Sequence, residues 1–317
     1  MGFLQVASWN IEHLSGAPRA QRRQSAFALA DHIEMAGVDL LSLQEIYVTP
    51  DDEEVRIGAS QPPIASRAFS PDPARPAWRN SDLDVVCHLL EEHSRGDWRY
   101  HILPNRVPGD REQLCAAMWN DSKLDLAEIV TLPVAHEGGG FPLWDRAPHL
   151  LNFTSEIDVW HRAEDGEWTK ASEGRRLSLV PLHMKSNFGG VTENRRRRGL
   201  EAETLCEALG AMQDQIDDTL ILIGDTNILS NAEPAIERFI DFGLVDLNNN
   251  DGATYWSAQY SEAPFDRAFV AANRPEFRYA RQYILRSSDL TAHDRLLSDH
   301  YMIKVSIKNY LDDADPR

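Results

Sequence analysis

Four apolar segments of the chain stop on polar side chains that could bind a metal ion or transfer a proton. The residues at these four stops are Asn10, Glu45, Asp225 with Asn227, and Asp299 with His300. Short apolar runs bounded by glycine, such as the run that ends at Gly224, are typical of buried strands, and loops at strand ends often carry chemistry. Carboxylate and carboxamide oxygens suit Mg²⁺, Mn²⁺ or Ca²⁺. The pattern therefore predicts metal-assisted chemistry, although one such stop alone is often only a turn.

The elements that position these residues alternate between strand-like and helical runs. Residues 20–35 and 196–212 show the helical spacing of apolar residues, and the closing segment 301–307 alternates as a half-buried strand does. With 317 residues, of which 42% are hydrophobic, the chain can bury a large core. One large two-layered domain is therefore expected rather than two.

Taken in chain order, these motifs resemble those of the endonuclease/exonuclease/phosphatase superfamily and, within it, of the deoxyribonuclease I-like branch. The matching motifs are Trp9-Asn10, Gln44-Glu45, Pro181-Leu182-His183, Gly224-Asp225-Thr226-Asn227 and Ser298-Asp299-His300. Three weaker matches are Glu112 within Arg111-Glu112-Gln113, Arg146 before Ala147-Pro148, and Asp266 within 265–270. The resemblance spans residues 3–308, which is nearly the whole chain.

The resemblance implies an α+β fold, a four-layer α/β/β/α sandwich in which two mixed β-sheets are flanked by helices. We expect residues 1–310 to form a single domain of this kind. Residues 48–81, rich in proline, serine and aspartate, are expected to form a surface insertion. Residues 311–317 are expected to form an acidic tail.

Phosphodiester hydrolysis requires a nucleophilic water, stabilisation of charge in the transition state, and a proton or metal ion for the departing oxygen. The resemblance implies that Glu45 is the principal metal ligand. Asn10, Asp225 and Asp299 would share the ion or ions, and Asp225 and Asn227 would orient the attacking water. The expected cofactor is Mg²⁺ or Mn²⁺, with Ca²⁺ as an alternative, and the number of ions stays open.

Two histidines are expected to flank the phosphate. The resemblance implies that His300, held by Asp266, acts as a base or as an electrostatic clamp. It implies that His183, paired with Glu112, protonates or stabilises the leaving oxygen. A carboxylate behind an imidazole fixes its tautomer and raises its basicity. Glu112 has an alternative interpretation as an ordinary solvated charge before a strand.

Three residues are predicted to contact the substrate phosphate: Arg146, Lys185 and Asn187. The planar guanidinium of Arg146 suits bidentate phosphate binding, although this arginine could also cap a turn. Lys185 and Asn187 follow His183 closely, and a charged loop tip explains them nearly as well as phosphate binding does.

Residues 195–198 are four consecutive arginines with two interpretations. They could contact nucleic acid, or some of them could lie on a solvated helix face together with Glu201 and Glu203. Basic tracts frequently resemble nucleic-acid sites without being one, so the solvated face is the preferred interpretation.

The net charge of −18 is the main observation against a nuclease, because nucleic-acid-binding proteins usually present a basic surface. Bound divalent metal and a local rim of basic residues would offset part of this charge. The chain also departs from the family pattern. Ile46 and Tyr47 stand where an arginine that enters the minor groove is expected, and Asp110 stands where an aromatic contact is expected. Tyr47 could instead stack on a base or sugar.

The leading hypothesis is a metal-dependent nuclease whose substrate is nucleic acid, DNA in preference to RNA. The alternative is a phosphatase or phosphodiesterase for a small phosphate ester such as an inositol phosphate, a lipid headgroup or a nucleotide. A non-catalytic scaffold is disfavoured because every catalytic position that aligns holds a competent residue. The pattern leaves open whether cutting is internal or terminal, and whether a regulatory protein binds.

The chain begins directly in a strand-like segment and contains no stretch of ~20 apolar residues, so neither a signal peptide nor a membrane span is expected. Cys87, Cys115 and Cys206 lie in apolar contexts and cannot all pair. They are expected to be reduced core thiols, which suits a cytoplasmic location.

Overall fold

The computed structural model describes most of the chain. The described residues are 2–16, 24–51, 54–58, 60–72, 74, 76–94, 96–105, 113–163, 165–216 and 219–312. The helices are α1 (Ala26–Ala36), α2 (Ser81–Ser94), α3 (Val191–Ala211), α4 (Pro234–Asp241) and α5 (Leu290–Leu296), with single 3-10 turns at Gln213–Gln215 and Pro275–Phe277. Among the described helices, none is both long enough and apolar enough to cross a membrane.

The strands, numbered in chain order, are β1 (Phe3–Leu14), β2 (Leu40–Ile46), β3 (Trp98–Leu103), β4 (Leu114–Asn120), β5 (Leu124–Thr131), β6 (Glu137–Gly138), β7 (Phe141–Pro142), β8 (His149–Ser155), β9 (Val159–Arg162), β10 (Trp168–Ser172), β11 (Arg175–His183), β12 (Leu220–Asp225), β13 (Leu244–Asp246), β14 (Tyr255–Ser257), β15 (Tyr260–Ala263), β16 (Asp266–Ala271), β17 (Tyr283–Leu285), β18 (Met302–Lys308) and β19 (Tyr310–Asp312). Most of them belong to two six-stranded sheets. The first has the order β17-β18-β1-β2-β4-β3 and the second β13-β16-β12-β11-β8-β5.

The two sheets pack face to face and helices cover their outer faces. An apolar cluster between the sheets joins β1 and β18 of the first sheet to β8, β11, β12 and β16 of the second. A second cluster packs α1 and α2 on the first sheet, and a third packs α3 and α4 on the second. The result is the predicted four-layer α/β/β/α sandwich with mixed sheets, so the expected fold class is confirmed.

The strands that end on polar residues are buried along their whole length. All six residues of β12 and six of the seven residues of β2 are buried, which matches their nearly continuous apolar sequence. Helix α1 is bounded by local signals: the Ser25 side chain accepts a hydrogen bond from Ala28 N, and Gly37 takes the left-handed conformation after the last turn.

The pairing of the central strands brings their carboxyl ends together. β1 runs parallel to β2 with Asn10 opposite Gln44, and β11 runs parallel to β12 with His183 opposite Asp225. β16 is antiparallel to β12, and its first residue, Asp266, lies opposite Asp225. Because parallel strands end at the same edge, each sheet presents two neighbouring polar termini.

Several element boundaries differ from the sequence-based expectation. The helix expected at 196–212 begins five residues earlier, at Val191. The helix expected at 20–35 is described from Ala26, and residues 17–23 lie outside the described part. The tail expected from 311 was placed too early, because β19 continues to Asp312 and pairs with β9. The insertion expected at 48–81 overlaps α2, which starts at Ser81.

The three cysteines are free, as expected, but they differ in burial. Cys87 and Cys115 are buried, and burial raises the pKa of Cys115 to about 12, so its thiol stays protonated at neutral pH. Cys206 on α3 is only partly buried, so the expectation of a core thiol was wrong for it. The neighbours of Cys206 in the sequence are apolar, but apolar neighbours in the sequence do not ensure that a side chain is fully covered in the fold.

Candidate active site

The carboxylate of Asp225, at the end of β12, is the centre of the site. Its Oδ2 atom accepts a hydrogen bond from Asn10 Nδ2 at 3.1 Å and lies 3.8 Å from His183 Nε2 and 4.0 Å from His300 Nε2. Its Oδ1 atom accepts from Asn227 N at 3.0 Å. All five residues are buried. Residues from four separate parts of the sequence thus surround one carboxylate.

Burial shifts the proton affinity of this carboxylate strongly. The pKa of Asp225 rises from 3.8 to about 7 because the group is removed from water, an effect that the nearby His300 opposes. Asp266 and Glu45 raise the pKa of Asp225 further by repulsion. Ionised Asp225 therefore needs nearby positive charge.

Glu45 and Asn10 stand side by side at the ends of β2 and β1. Asn10 Nδ2 donates to Glu45 Oε1 at 3.3 Å, while Asn10 Oδ1 accepts from Glu12 N at 3.0 Å. Glu45 has a left-handed backbone with φ of 62°, a conformation that non-glycine residues adopt rarely and that often occurs at functional sites. Its Oε2 atom is buried and accepts no hydrogen bond from the described residues.

His300 has a carboxylate behind it, as predicted. Its Nδ1 atom lies 2.8 Å from Oδ2 of Asp266, whose side chain is fully buried. Burial by itself lowers the pKa of His300, but Asp266 and Asp225 outweigh it and raise that pKa to about 10. His300 is therefore an imidazolium at neutral pH.

His183 lies on the other side of Asp225 in a different environment. Its side chain is buried, and burial, Arg146 and His300 together hold its pKa well below 6.5. Its Nδ1 atom has no hydrogen-bond partner among the described residues. The partner predicted for it, Glu112, lies outside the described residues, so the second His–carboxylate pair stays a prediction.

Asp225, one of the predicted metal ligands, belongs to a buried group of potential ligand atoms. Within the described residues, oxygen and nitrogen atoms of Asp225, Asp266 and His300 lie within 4.8 Å of one another. Asp299 is buried and raises the pKa of His300, but it is not a member of that group. Its role as a ligand, like that of Asn10 and Glu45, stays a prediction.

The donor set nevertheless fits a hard divalent cation. Glu45 Oε2 and Asp266 Oδ1 are buried carboxylate oxygens that accept no hydrogen bond from the described residues. Such oxygens are costly to leave unpaired, and a cation would satisfy them. The side chains are oxygen donors of the kind that Mg²⁺ and Mn²⁺ bind.

Comparison with known proteins gives matches in structure alone: no family model and no curated protein matches the sequence. An endonuclease/exonuclease/phosphatase family protein from Bacteroides thetaiotaomicron matches with a TM-score of 0.59 and 17% identity, covering 96% of this chain and 97% of the other. One from Leptotrichia buccalis matches with a TM-score of 0.58, 13% identity, and coverage of 96% and 99%. The chain has the endonuclease/exonuclease/phosphatase fold.

Two further structures with this fold are named for different substrates or ligands, a sugar phosphate in one and DNA in the other. The B. thetaiotaomicron mannosyl-6-phosphatase has a TM-score of 0.57, 15% identity, and coverage of 96% of this chain and 100% of the other. D. rerio TDP2 in complex with a single-strand DNA product has a TM-score of 0.51, 15% identity, and coverage of 97% and 100%. The endonuclease/exonuclease/phosphatase fold therefore does not decide the substrate.

Two of the four arginines at 195–198 lie inside the protein, whereas Arg195 is partly exposed and Arg196 is exposed. Arg197 and Arg198 are buried, and Arg198 forms a bidentate ion pair with the buried Glu233 at 2.8 to 3.0 Å. Glu201, expected on a solvated face, is fully buried as well. The solvated-face interpretation was therefore wrong for these residues. Arg198 and Glu201 also have partners on other segments, so helical spacing alone could not reveal their burial.

Three buried residues of α3, namely Arg197, Arg198 and Glu201, support two loops of the site. Glu201 accepts hydrogen bonds from Trp144 N at 3.1 Å and Lys185 N at 3.0 Å. Arg198 donates to the carbonyl of Lys185 at 3.0 Å. One helix thus fixes the loop that carries Arg146 and the loop that follows His183.

The three predicted phosphate contacts already have protein partners. Arg146 donates to the side chain of Gln113, and its charge lowers the pKa of His183, so it lies near the site. Lys185 Nζ is 3.0 Å from Asp145 Oδ2. Asn187 Nδ2 donates to Asn227 O at 2.9 Å. These contacts give Lys185 and Asn187 a positioning role, and phosphate contact stays a prediction for all three.

One histidine at the site, His13, is not among the residues predicted from the sequence. His13 Nδ1 lies 3.0 Å from the hydroxyl of Tyr47, and its Nε2 lies 3.6 Å from Glu45 Oε2. His13 has a left-handed backbone with φ of 60°. Its position three residues after Asn10 was the available signal, but nothing in the sequence relates it to Glu45.

Proposed function

We propose that this chain is a divalent-metal-dependent phosphoesterase that hydrolyses phosphodiester bonds in nucleic acid, with DNA as the preferred polymer. The observation that carries the proposal is the arrangement around Asp225 Oδ2, where Asn10, His183 and His300 approach within 4.0 Å from three other segments. A carboxylate between two imidazoles, beside a second carboxylate and an amide, suits activation of water next to a phosphate.

Different residues of the site act on the attacking water and on the phosphate. Asp225 and Asn227 orient the attacking water, since Asp225 is the acceptor at the centre. His300, positively charged because of Asp266, stabilises negative charge that develops on the phosphoryl oxygens. The pKa of about 10 favours this clamp over a role as base. His183 is neutral and provides a hydrogen bond toward the leaving oxygen.

We propose Glu45 as the main metal ligand, with Asn10, Asp225 and Asp299 sharing the ion. When bound there, Mg²⁺ or Mn²⁺ would supply positive charge opposite the phosphate and lower the pKa of a water molecule. Glu45 Oε2, which is buried and accepts no hydrogen bond from the described residues, supports this assignment. Arg146 would hold a non-bridging phosphate oxygen from the opposite side.

A second candidate is a phosphatase for a small phosphate ester. The similarity to a mannosyl-6-phosphatase at a TM-score of 0.57 favours it, as does the net charge of −18. A strongly acidic body repels a polyanion over long range, whereas a small ester experiences mainly the charges next to it. The same catalytic residues would serve both reactions.

A cleavage assay separates these proposals. Supercoiled plasmid, linear duplex, single-stranded DNA, RNA and a panel of phosphate esters are incubated with Mg²⁺, Mn²⁺ or EDTA. We expect metal-dependent cutting of DNA, lost in Asp225→Asn, with nicking of the plasmid if cutting is internal. Release of phosphate from an ester without cutting of any polymer would replace the nuclease by the phosphatase. No hydrolysis of any substrate would contradict both.

A further inference from the structure

Phe188 is the most exposed of the large hydrophobic side chains that the structure describes, at 92%. It lies between β11 and α3, in the loop of residues 184–190 that follows His183. Single exposed apolar residues are common on protein surfaces. Phe188 differs from them in three respects, namely the rigidity of its backbone, its distance from the site and the charge beside it.

The backbone that presents the ring is held on both sides. Asn194 Nδ2 donates to the carbonyl of Phe188 at 2.7 Å. Arg198 donates to the carbonyl of Lys185 at 3.0 Å and to Asn187 Oδ1 at 3.1 Å. Because Arg198 is itself fixed by its buried ion pair with Glu233, this loop keeps its shape while the ring projects into water.

The residue before Phe188 is linked to the proposed reaction centre by hydrogen bonds. Asn187, the residue before Phe188, donates to Asn227 O at 2.9 Å, and Asn227 N donates to Asp225 Oδ1 at 3.0 Å. One step along the chain adds about 3.8 Å. Phe188 is therefore the neighbour in sequence of a residue that is hydrogen-bonded to the segment carrying Asp225 and Asn227.

Basic side chains follow the ring on the first turns of α3. The side chain of Arg195 is 42% exposed. Arg196 is exposed, and its guanidinium lies 5.4 Å from the ring centre of Phe141. These cations are close to Glu193, but they form a local basic segment on a chain whose net charge is −18. Aromatic rings next to arginines are the usual surface for binding unpaired nucleic acid.

We infer that Phe188 is the stacking contact for an unpaired nucleobase next to the reacting phosphate, with Arg195 and Arg196 beside the following phosphates. This inference rests on the proposed phosphodiesterase function and names its substrate class, a single-stranded end or segment. Bases in a duplex are already stacked on both faces, whereas an unpaired base has a free face for the ring. A simple phosphate monoester has no second phosphate for the arginines.

The test uses Phe188→Ala, with Phe188→Trp as the variant that keeps a stacking face. Phe27→Ala, which removes a half-exposed ring from α1, is the matched control. Binding of a labelled oligothymidylate is measured by fluorescence anisotropy in EDTA, and hydrolysis of single-stranded DNA, duplex DNA and bis(4-nitrophenyl) phosphate is measured with Mg²⁺ or Mn²⁺.

We expect Phe188→Ala to weaken binding and raise KM for single-stranded DNA by about 10-fold to 100-fold, the range for one stacked base. Phe188→Trp and Phe27→Ala should bind as the wild type does, and Phe27→Ala should leave hydrolysis of the small diester unchanged. Unchanged oligothymidylate binding in Phe188→Ala, or no binding by the wild type, would overturn the inference. If the wild type hydrolyses none of these substrates, the proposed function itself would be contradicted.

Discussion

The two histidines on either side of Asp225 are both buried, yet one is positively charged and the other is neutral. His300 has Asp266 at 2.8 Å, and its pKa is raised to about 10. His183 has no carboxylate at hydrogen-bond distance among the described residues, and its pKa is held well below 6.5. Burial alone makes an imidazole neutral, and a buried carboxylate in contact reverses that effect. The site therefore places a charged and a neutral imidazole around one phosphate.

The largest effect is expected for Asp225→Asn, because Asp225 lies between both histidines. The amide keeps the shape of the carboxylate but removes its charge and its proton affinity. We expect kcat to fall roughly a thousandfold or more, with little change in folding. Steady-state kinetics and a thermal unfolding curve check this. Retention of a tenth of the activity would remove Asp225 from the centre of the mechanism.

Asp266→Asn tests the charged side of the comparison. Removal of the carboxylate leaves burial as the dominant influence, so the pKa of His300 should fall below its ordinary value, toward the behaviour of His183. We expect about a hundredfold loss of kcat. NMR titration of the His300 imidazole measures the pKa directly. A pKa that stays near 10 would mean that Asp225 alone charges His300.

His183→Gln tests the neutral side and should have a smaller effect, since glutamine keeps an uncharged hydrogen-bond donor. We expect a loss of roughly tenfold to a hundredfold in kcat. Glu112→Gln is the companion variant. If Glu112 pairs with His183 during the reaction, both variants lose similar activity. If Glu112→Gln is as active as the wild type, His183 stays without a carboxylate partner throughout the reaction, in contrast to His300.

His149 on β8 provides a reference for an imidazole without a carboxylate. It is 1% exposed, its Nδ1 lies 2.9 Å from the carbonyl of Ala147, and burial lowers its pKa to about 4. The unfolded chain binds this proton near pH 6.5, whereas the folded chain does so only near pH 4. Stability from this group is therefore complete above pH 6.5 and is lost as pH falls toward 4.

We expect the wild type to lose about 1 to 3 kcal/mol of unfolding free energy through His149 when the pH falls from about 7 to about 5. Urea unfolding at pH 7 and pH 5 measures the loss, and His149→Gln should show less of it. His136→Gln, which changes a partly buried histidine, is the control and should behave as the wild type. An equal pH dependence in all three proteins would contradict the assignment to His149.

Much of the fold and the centre of the site followed from local sequence patterns. The apolar run before Gly224 predicted a buried strand that delivers Asp225 and Asn227, and β12 has that form. The resemblance also related Asp266 to His300, and the two are in contact. The burial of the arginines at 195–198 could not be predicted in this way, because their sequence pattern is the same whether a charged side chain faces water or a buried partner.

Long-range partners account for what the sequence left open. Arg198 pairs with Glu233, 35 residues away, and Glu201 bonds the amide of Lys185, which lies on another segment. Neither contact has a local signal, because both depend on how α3 packs on the second sheet. The same holds for His13, whose contact with Glu45 requires a left-handed turn after Asn10.

The sequence by itself determined which residue types arrive at the strand ends, since alternation and apolar runs reflect the local geometry of a strand. Only the tertiary structure decided which of these residues meet and what charge they hold. Asn10 and Asp225 are 215 residues apart and share a hydrogen bond. The protonation of His300 and His183 depends on burial and on the distance to a carboxylate, and both quantities exist only once the two sheets have packed together.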